Sequence, residues 1–210
     1  MMRWHAARRE TFRCAAALAC ALMLAAGATQ AQTSSKGDAT RGAAKAAPCA
    51  SCHGTPERAP LANTPSLAGQ QQEFLVLQMF LLREGLRDVP QMAGMLKGVT
   101  DRELTDMAAY FARQKPFDGP RGKPDEKRRA RGSELAKSLG CGSCHMSDYR
   151  GQQQVPRLTN QGEAYLATAM KDYRDNRRTG TDTSMNAVLY QVVDGDIQAL
   201  AHYLAHYPGK

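Results

Sequence analysis

Aromatic side chains are scarce in this chain of 210 residues: phenylalanine, tyrosine and tryptophan make up 6%, and the single tryptophan is Trp4. The length suits one large domain or two small ones, and with so few rings two domains of roughly 90 residues would have thin cores. Long apolar runs are almost missing. The one candidate, Cys14 to Ala28, lies near the N-terminus, and nothing later is long and apolar enough to span a bilayer. No stretch alternates apolar and polar residues with period two over a useful length, which argues against a sheet protein. Acidic residues are outnumbered, 20 against 28 basic ones.

The basic excess is local. Arg3, Arg8, Arg9 and Arg13 precede the apolar run and Thr29-Gln30-Ala31 follows it, the order of a secretory signal cleaved after Ala31. The run reaches only about 22 Å as a helix, short of the ~30 Å hydrocarbon core, so a signal is a better reading than an anchor. Cys20 sits too early in the run for a lipoprotein site. Removing residues 1–31 takes away four arginines and one glutamate and leaves a formal +5. Nearly all of that lies in residues 119–131, GPRGKPDEKRRAR, which reads as a linker. A nucleic-acid binder would spread its charge along a face, so no nucleic-acid partner is expected. The expectation is a periplasmic protein with no transmembrane anchor after processing, capable of peripheral membrane association.

Removal of the signal leaves Cys49, Cys52, Cys141 and Cys144. Two disulfides would be the usual reading in an oxidising compartment, yet all four fall in two motifs that end in histidine, Cys49-Ala-Ser-Cys52-His53 and Cys141-Gly-Ser-Cys144-His145. The spacing between the copies recurs elsewhere. Pro65-Ser-Leu-Ala-Gly-Gln70 returns as Pro156-Arg-Leu-Thr-Asn-Gln161, Met92 as Met185, and Ala109-Tyr110 as His202-Tyr203, all at offsets of 91 to 93. The chain is therefore one module written twice: residues 32–118, the linker 119–131, and residues 132–210. Helices are predicted over 38–47, 71–86 and 103–114, the last opened by the Thr100-Asp-Arg-Glu103 capping box. Their counterparts are 133–139, 162–174 and 195–206, the last opened by Asp194.

Cys-x-x-Cys-His is the attachment pattern of c-type haem. Both thiols form thioethers to the porphyrin and the adjacent imidazole ligates iron, while haem supplies the apolar filling that small modules lack. A zinc ribbon would bring two such pairs into one site, but these belong to separate modules. A methionine sulfur on the open face makes the iron an electron carrier rather than a reaction centre. Met79, Met107 and Met170 fall on apolar helical stripes and read as core, and Met146 adjoins the histidine and cannot reach the opposite face. Met92 and Met95 share a loop, and the repeat offset favours Met92, with Met185 as its partner in the second module. The carbonyls of Pro65 and Pro156 are placed to orient the histidines. His202 and His206 lie i, i+4 on the last helix but show no third ligand, so they read as packing residues.

PSLAGQQQEFLVLQMF, QMAGMLKGVTDRELTDMAAYFARQK and PRLTNQGEAYLATAMKDYRDNRRTGTDTSM resemble the dihaem cytochrome c4 family. The resemblance implies an all-α fold of two tandem class I cytochrome c domains, each wrapped around one covalent haem. It implies His53 and Met92 on one iron, and His145 and Met185 on the other. It also implies single-electron transfer between redox proteins such as a quinol-oxidising complex, a cytochrome oxidase or a dehydrogenase. A permanently docked dehydrogenase subunit is the second reading, and a dihaem peroxidase the third. One departure stands out: VLYQVVDGD lacks the capping box of the first module, so the last helix should start less well capped.

Overall fold

In the computed structural model of the chain, residues 36–117, 122–178 and 183–207 are described. The signal read over residues 1–31 lies outside them, as does the first part of the linker.

Each module begins and ends with helices that cross. In the first, α1 (Ala39–Ala46) packs against α4 (Asp101–Ala112); in the second, α5 (Glu126–Ser138) packs against α9 (Asp194–Ala205). Glycine makes both crossings possible. A Cβ on Gly42 would overlap the Asp106 carbonyl, and one on Gly132 would overlap the Ala199 carbonyl, so only a bare backbone lets the helices come this close. Between the crossing helices lie α2 (Ala50–His53) and α3 (Gln72–Arg83) in the first module, and α6 (Cys141–His145), α7 (Glu163–Arg174) and α8 (Ser184–Leu189) in the second. Among the described residues there is no strand, only one isolated bridge between Gln152 and Val155. No described helix is long and apolar enough to cross a membrane.

Asp38 caps α1 by accepting from the Thr40 and Arg41 amides, and Arg41 then bonds the buried Asp106 carboxylate through Nε and Nη2, both at 2.8 Å. The predicted capping box of α4 is present, with the Thr100 side chain on the Glu103 amide and Glu103 on the Thr100 amide. α9 starts differently. Val193 stands at its cap with no side-chain hydrogen bond, and Asp194 is the first helical residue rather than the cap. A second device takes over: Lys171 and Arg174 from α7 grip the Asp194 carboxylate, each at 2.6 Å. The basic stretch read as linker is also part helix. Asp125 caps the Arg128 amide, and α5 runs through Glu126–Ser138; the good helix formers Glu, Lys, Arg and Ala outweigh the charge repulsion.

Two core clusters form, one per module. Leu75, Met79, Leu104, Met107 and Phe111 centre the first; Leu166, Met170, Leu189, Ile197, Leu200 and Leu204 centre the second. The helical methionines expected in the core are there. The modules meet through a reciprocal pair of amides. Gln161 accepts from the Ser66 amide at 2.8 Å and donates to its carbonyl at 3.1 Å, while Gln70 accepts from the Arg157 amide at 2.7 Å and donates to its carbonyl at 3.0 Å. Gln70 and Gln161 are repeat equivalents, as are Ser66 and Arg157, so the contact has local two-fold character. Both glutamines and Ser66 are buried.

Candidate functional site

The cysteine motifs are built alike. The second lies wholly on α6, while in the first Cys49 closes a 3-10 turn, Ala47–Cys49, directly before α2; in each the serine hydroxyl bonds back to a carbonyl three residues earlier, Ser51 to Pro48 at 2.8 Å and Ser143 to Gly140 at 2.7 Å. Both helices end on a residue of positive φ, Gly54 at 74° and Met146 at 70°. The reversal sends the chain around to the proline that meets the histidine. His53 Nδ1 lies 2.8 Å from the Pro65 carbonyl, and His145 Nδ1 lies 2.9 Å from the Pro156 carbonyl. A carbonyl only accepts, so each Nδ1 carries the proton and Nε2 keeps a free lone pair. Burial pushes both imidazoles below their ordinary pKa and keeps them neutral.

Both rings border one continuous cavity of about 220 Å³, which runs from the first module into the second. Met92 and Met185 border it as well. Met95 does not, and is 63% exposed. Met79, Met107 and Met170 serve the core and also line the wall. Apolar residues such as Leu75, Leu96, Phe111, Leu158 and Leu166 form most of the remainder. All four cysteines are free thiols, Cys49 and Cys141 partly buried, Cys52 and Cys144 exposed. Burial raises the Cys49 and Cys141 thiols above their ordinary range. Cys49 borders the cavity and Cys141 packs at the edge of the second core. Free thiols beside neutral imidazoles, with thioethers on an apolar cavity, form a donor set that fits a covalently held haem in each module.

Two features escape sequence reasoning. Glu163, from the start of α7, joins His202 and His206, and the three present ligand atoms within 4.8 Å of one another. Such a meeting between two helices has no signature in spacing. Both nitrogens of His202 are already used: Nε2 accepts from the Asp125 amide at 2.9 Å and Nδ1 faces Glu163 at 2.9 Å. The trio thus ties the start of α5 to α7 and α9, and Glu163 is the third donor that the spacing of His202 and His206 did not show. The second feature is a pair of arginines, Arg87 and Arg178, on the cavity wall between the modules.

A family model described as cytochrome c matches residues 129–208. Cytochrome c4 of Pseudomonas aeruginosa is 35% identical over 80% of this chain and 88% of its own. The thiosulfate dehydrogenase electron acceptor of Thiomonas intermedia is 31% identical over 78% of this chain and 80% of its own. Among solved structures, reduced recombinant cytochrome c4 from Pseudomonas stutzeri superposes with a TM-score of 0.71 at 35% identity, covering 80% of this chain and 97% of that one. A helical fold written twice around one apolar cavity agrees with these relatives, and the chain belongs to the cytochrome c4 family, dihaem electron-transfer cytochromes with covalently bound haem c.

Proposed function

We propose that the protein carries single electrons between respiratory-chain partners in the periplasm, toward a terminal oxidase, with residues 1–31 serving as its export signal. Residues 32–118 and 132–210 each hold one haem. Cys49 and Cys52 form the thioethers in the first half, and Cys141 and Cys144 in the second. His53 with Met92, and His145 with Met185, would ligate the two irons. The supporting observation is the pairing, on one cavity, of an imidazole with a lone pair on Nε2 and a methionine in each half, Met92 at the end of a 3-10 turn and Met185 on α8. Haem supplies a one-electron Fe(II)/Fe(III) couple. The chain's own part is to hold the imidazoles neutral and oriented through the proline carbonyls, to offer the sulfurs of Met92 and Met185, which would ligate the irons, and to keep water away with the leucines and phenylalanine of the wall.

A second reading has the protein as the electron-accepting partner of a periplasmic dehydrogenase, and the Thiomonas relative favours it. Haem staining and optical spectroscopy of the processed protein test the ligation. Two covalent haems per chain, low-spin in both oxidation states and slow to bind carbon monoxide, are the expected result; an unmodified polypeptide or prompt binding of carbon monoxide overturns it. Gel filtration from the native source separates the two readings, since a shuttle elutes as a lone chain and a subunit elutes with its enzyme.

A further inference from the structure

Each module carries two arginines four residues apart at the end of its middle helix: Arg83 and Arg87 in the first, Arg174 and Arg178 in the second. The leading pair is matched by carboxylates, Arg83 by Glu84 and Asp101, and Arg174 by Asp175 and Asp194. Each also bonds a carbonyl before the last helix, Arg83 to Val99 and Arg174 to Val192. These arginines are structural braces.

The trailing pair is different. Among the described residues, neither Arg87 nor Arg178 forms an ion pair. Their partners are neutral. Gln78 Oε1 accepts from Arg87 Nη1 at 2.7 Å and from Arg178 Nη2 at 3.1 Å, so cations from both modules converge on one amide oxygen. Arg178 also reaches the Tyr165 hydroxyl at 3.3 Å and lies 4.7 Å from the centre of the Tyr173 ring. It is 8% exposed, and both arginines border the shared cavity. Two like charges drawn together away from water are unfavourable unless an anion joins them. Each haem brings two propionate carboxylates, and a guanidinium is well shaped to hold a carboxylate through two parallel hydrogen bonds.

The geometry points to Arg87 and Arg178 as the counter-cations of the haem propionates at the junction of the modules, held together by Gln78 so that each arginine acts on both haem sites. This rests on the dihaem reading above. A positive charge near a haem favours its reduced form, so both arginines raise the potentials of both centres. They position and tune; they do not ligate iron.

Spectroelectrochemical titration of the purified dihaem protein tests this through the two midpoint potentials. Arg178→Gln and Arg87→Gln are each expected to lower both midpoints, shifting the oxidised-to-reduced ratio at fixed ambient potential by up to about tenfold, where tenfold corresponds to 59 mV for one electron. Arg178→Lys, which keeps the charge, recovers most of the shift. Arg174→Gln, which removes a brace already matched by carboxylates, lowers the melting temperature and leaves both midpoints in place. Gln78→Leu changes the separation between the midpoints. Unmoved midpoints in the glutamine variants overturn the assignment. Movement of only one centre, or an unchanged separation in Gln78→Leu, overturns the sharing. If Arg178→Gln fails to mature, Arg178→Lys and Arg87→Gln decide by the same criteria: midpoints near wild type in the first and lowered in the second support it, and no shift in the second overturns it. Loss of the dihaem reading shows separately, as wild-type protein without covalent haem.

Discussion

His53 and His145 each commit one ring nitrogen to a proline carbonyl, and that single bond settles which nitrogen is left for a metal. The methionines divide as cleanly. Met92 borders the cavity while Met95, three residues on, points to solvent. Met92→Ala is therefore expected to remove the thioether–iron absorption of one centre, lower its potential and admit carbon monoxide; Met95→Ala should leave the spectrum and both potentials unchanged. Optical titration of the two variants distinguishes them, and the reverse pattern would move the ligand to Met95. Motif spacing and the repeat offset point to the histidines and to Met92, because covalent attachment demands a fixed local pattern. The junction of Arg87 and Arg178 on Gln78 was not legible, since each arginine alone looks like any charged residue at a helix end.

At the scale of the helix, the two modules begin their last helices by unlike means. Thr100 and Glu103 cap α4, whereas α9 has Val193 at the cap and relies on Lys171 and Arg174 at Asp194. Thr100→Ala should cost about 1 kcal/mol, and Val193→Ser should add stability of similar size by supplying the missing acceptor, both read by thermal or denaturant unfolding. Hydrogen bonds from the Thr100 amide, Lys45 and the Thr100 hydroxyl hold Glu103 at about 2, and Lys171 and Arg174 hold Asp194 at about 2. Both values lie below the ordinary carboxylate values of 4.5 and 3.8, so the stabilisation is complete above those and disappears as the pH falls toward about 2. Glu103→Gln and Asp194→Asn should each flatten the fall of melting temperature across that window; an unaltered slope would show that the acid sensitivity arises elsewhere. Gly132→Ala forces a methyl against the Ala199 carbonyl and should cost about 1–3 kcal/mol, with Gly42→Ala alike at Asp106.

Across the whole molecule, the modules are joined by backbone-reading amides rather than by a broad apolar seam. Gln161→Ala leaves the buried Ser66 amide and carbonyl without their partner, and should destabilise the junction by about 1–3 kcal/mol. Because Gln70→Ala strikes the equivalent bonds on the other side, calorimetry should resolve two transitions in the double variant against one expected for the wild type. A single unchanged transition would mean that the cavity walls alone hold the halves together.

The all-helical character, the internal duplication and the two cysteine–histidine motifs were legible in the amino-acid order, because haem attachment and helix amphipathicity act over a few residues. What the order left open were the meetings of distant residues. The start of α5 lies inside a stretch that looked like linker, because capping by Asp125 and packing of Gly132 against α9 turn four of its basic charges into the first turns of a helix. Glu163 completes a trio with His202 and His206, and Gln70 and Gln161 exchange backbone partners across the module boundary. Only folding forms one cavity lined by both modules and places two cations on a single amide oxygen. Those contacts depend on how helices cross and halves dock, and no local pattern encodes a distance between residues a hundred positions apart.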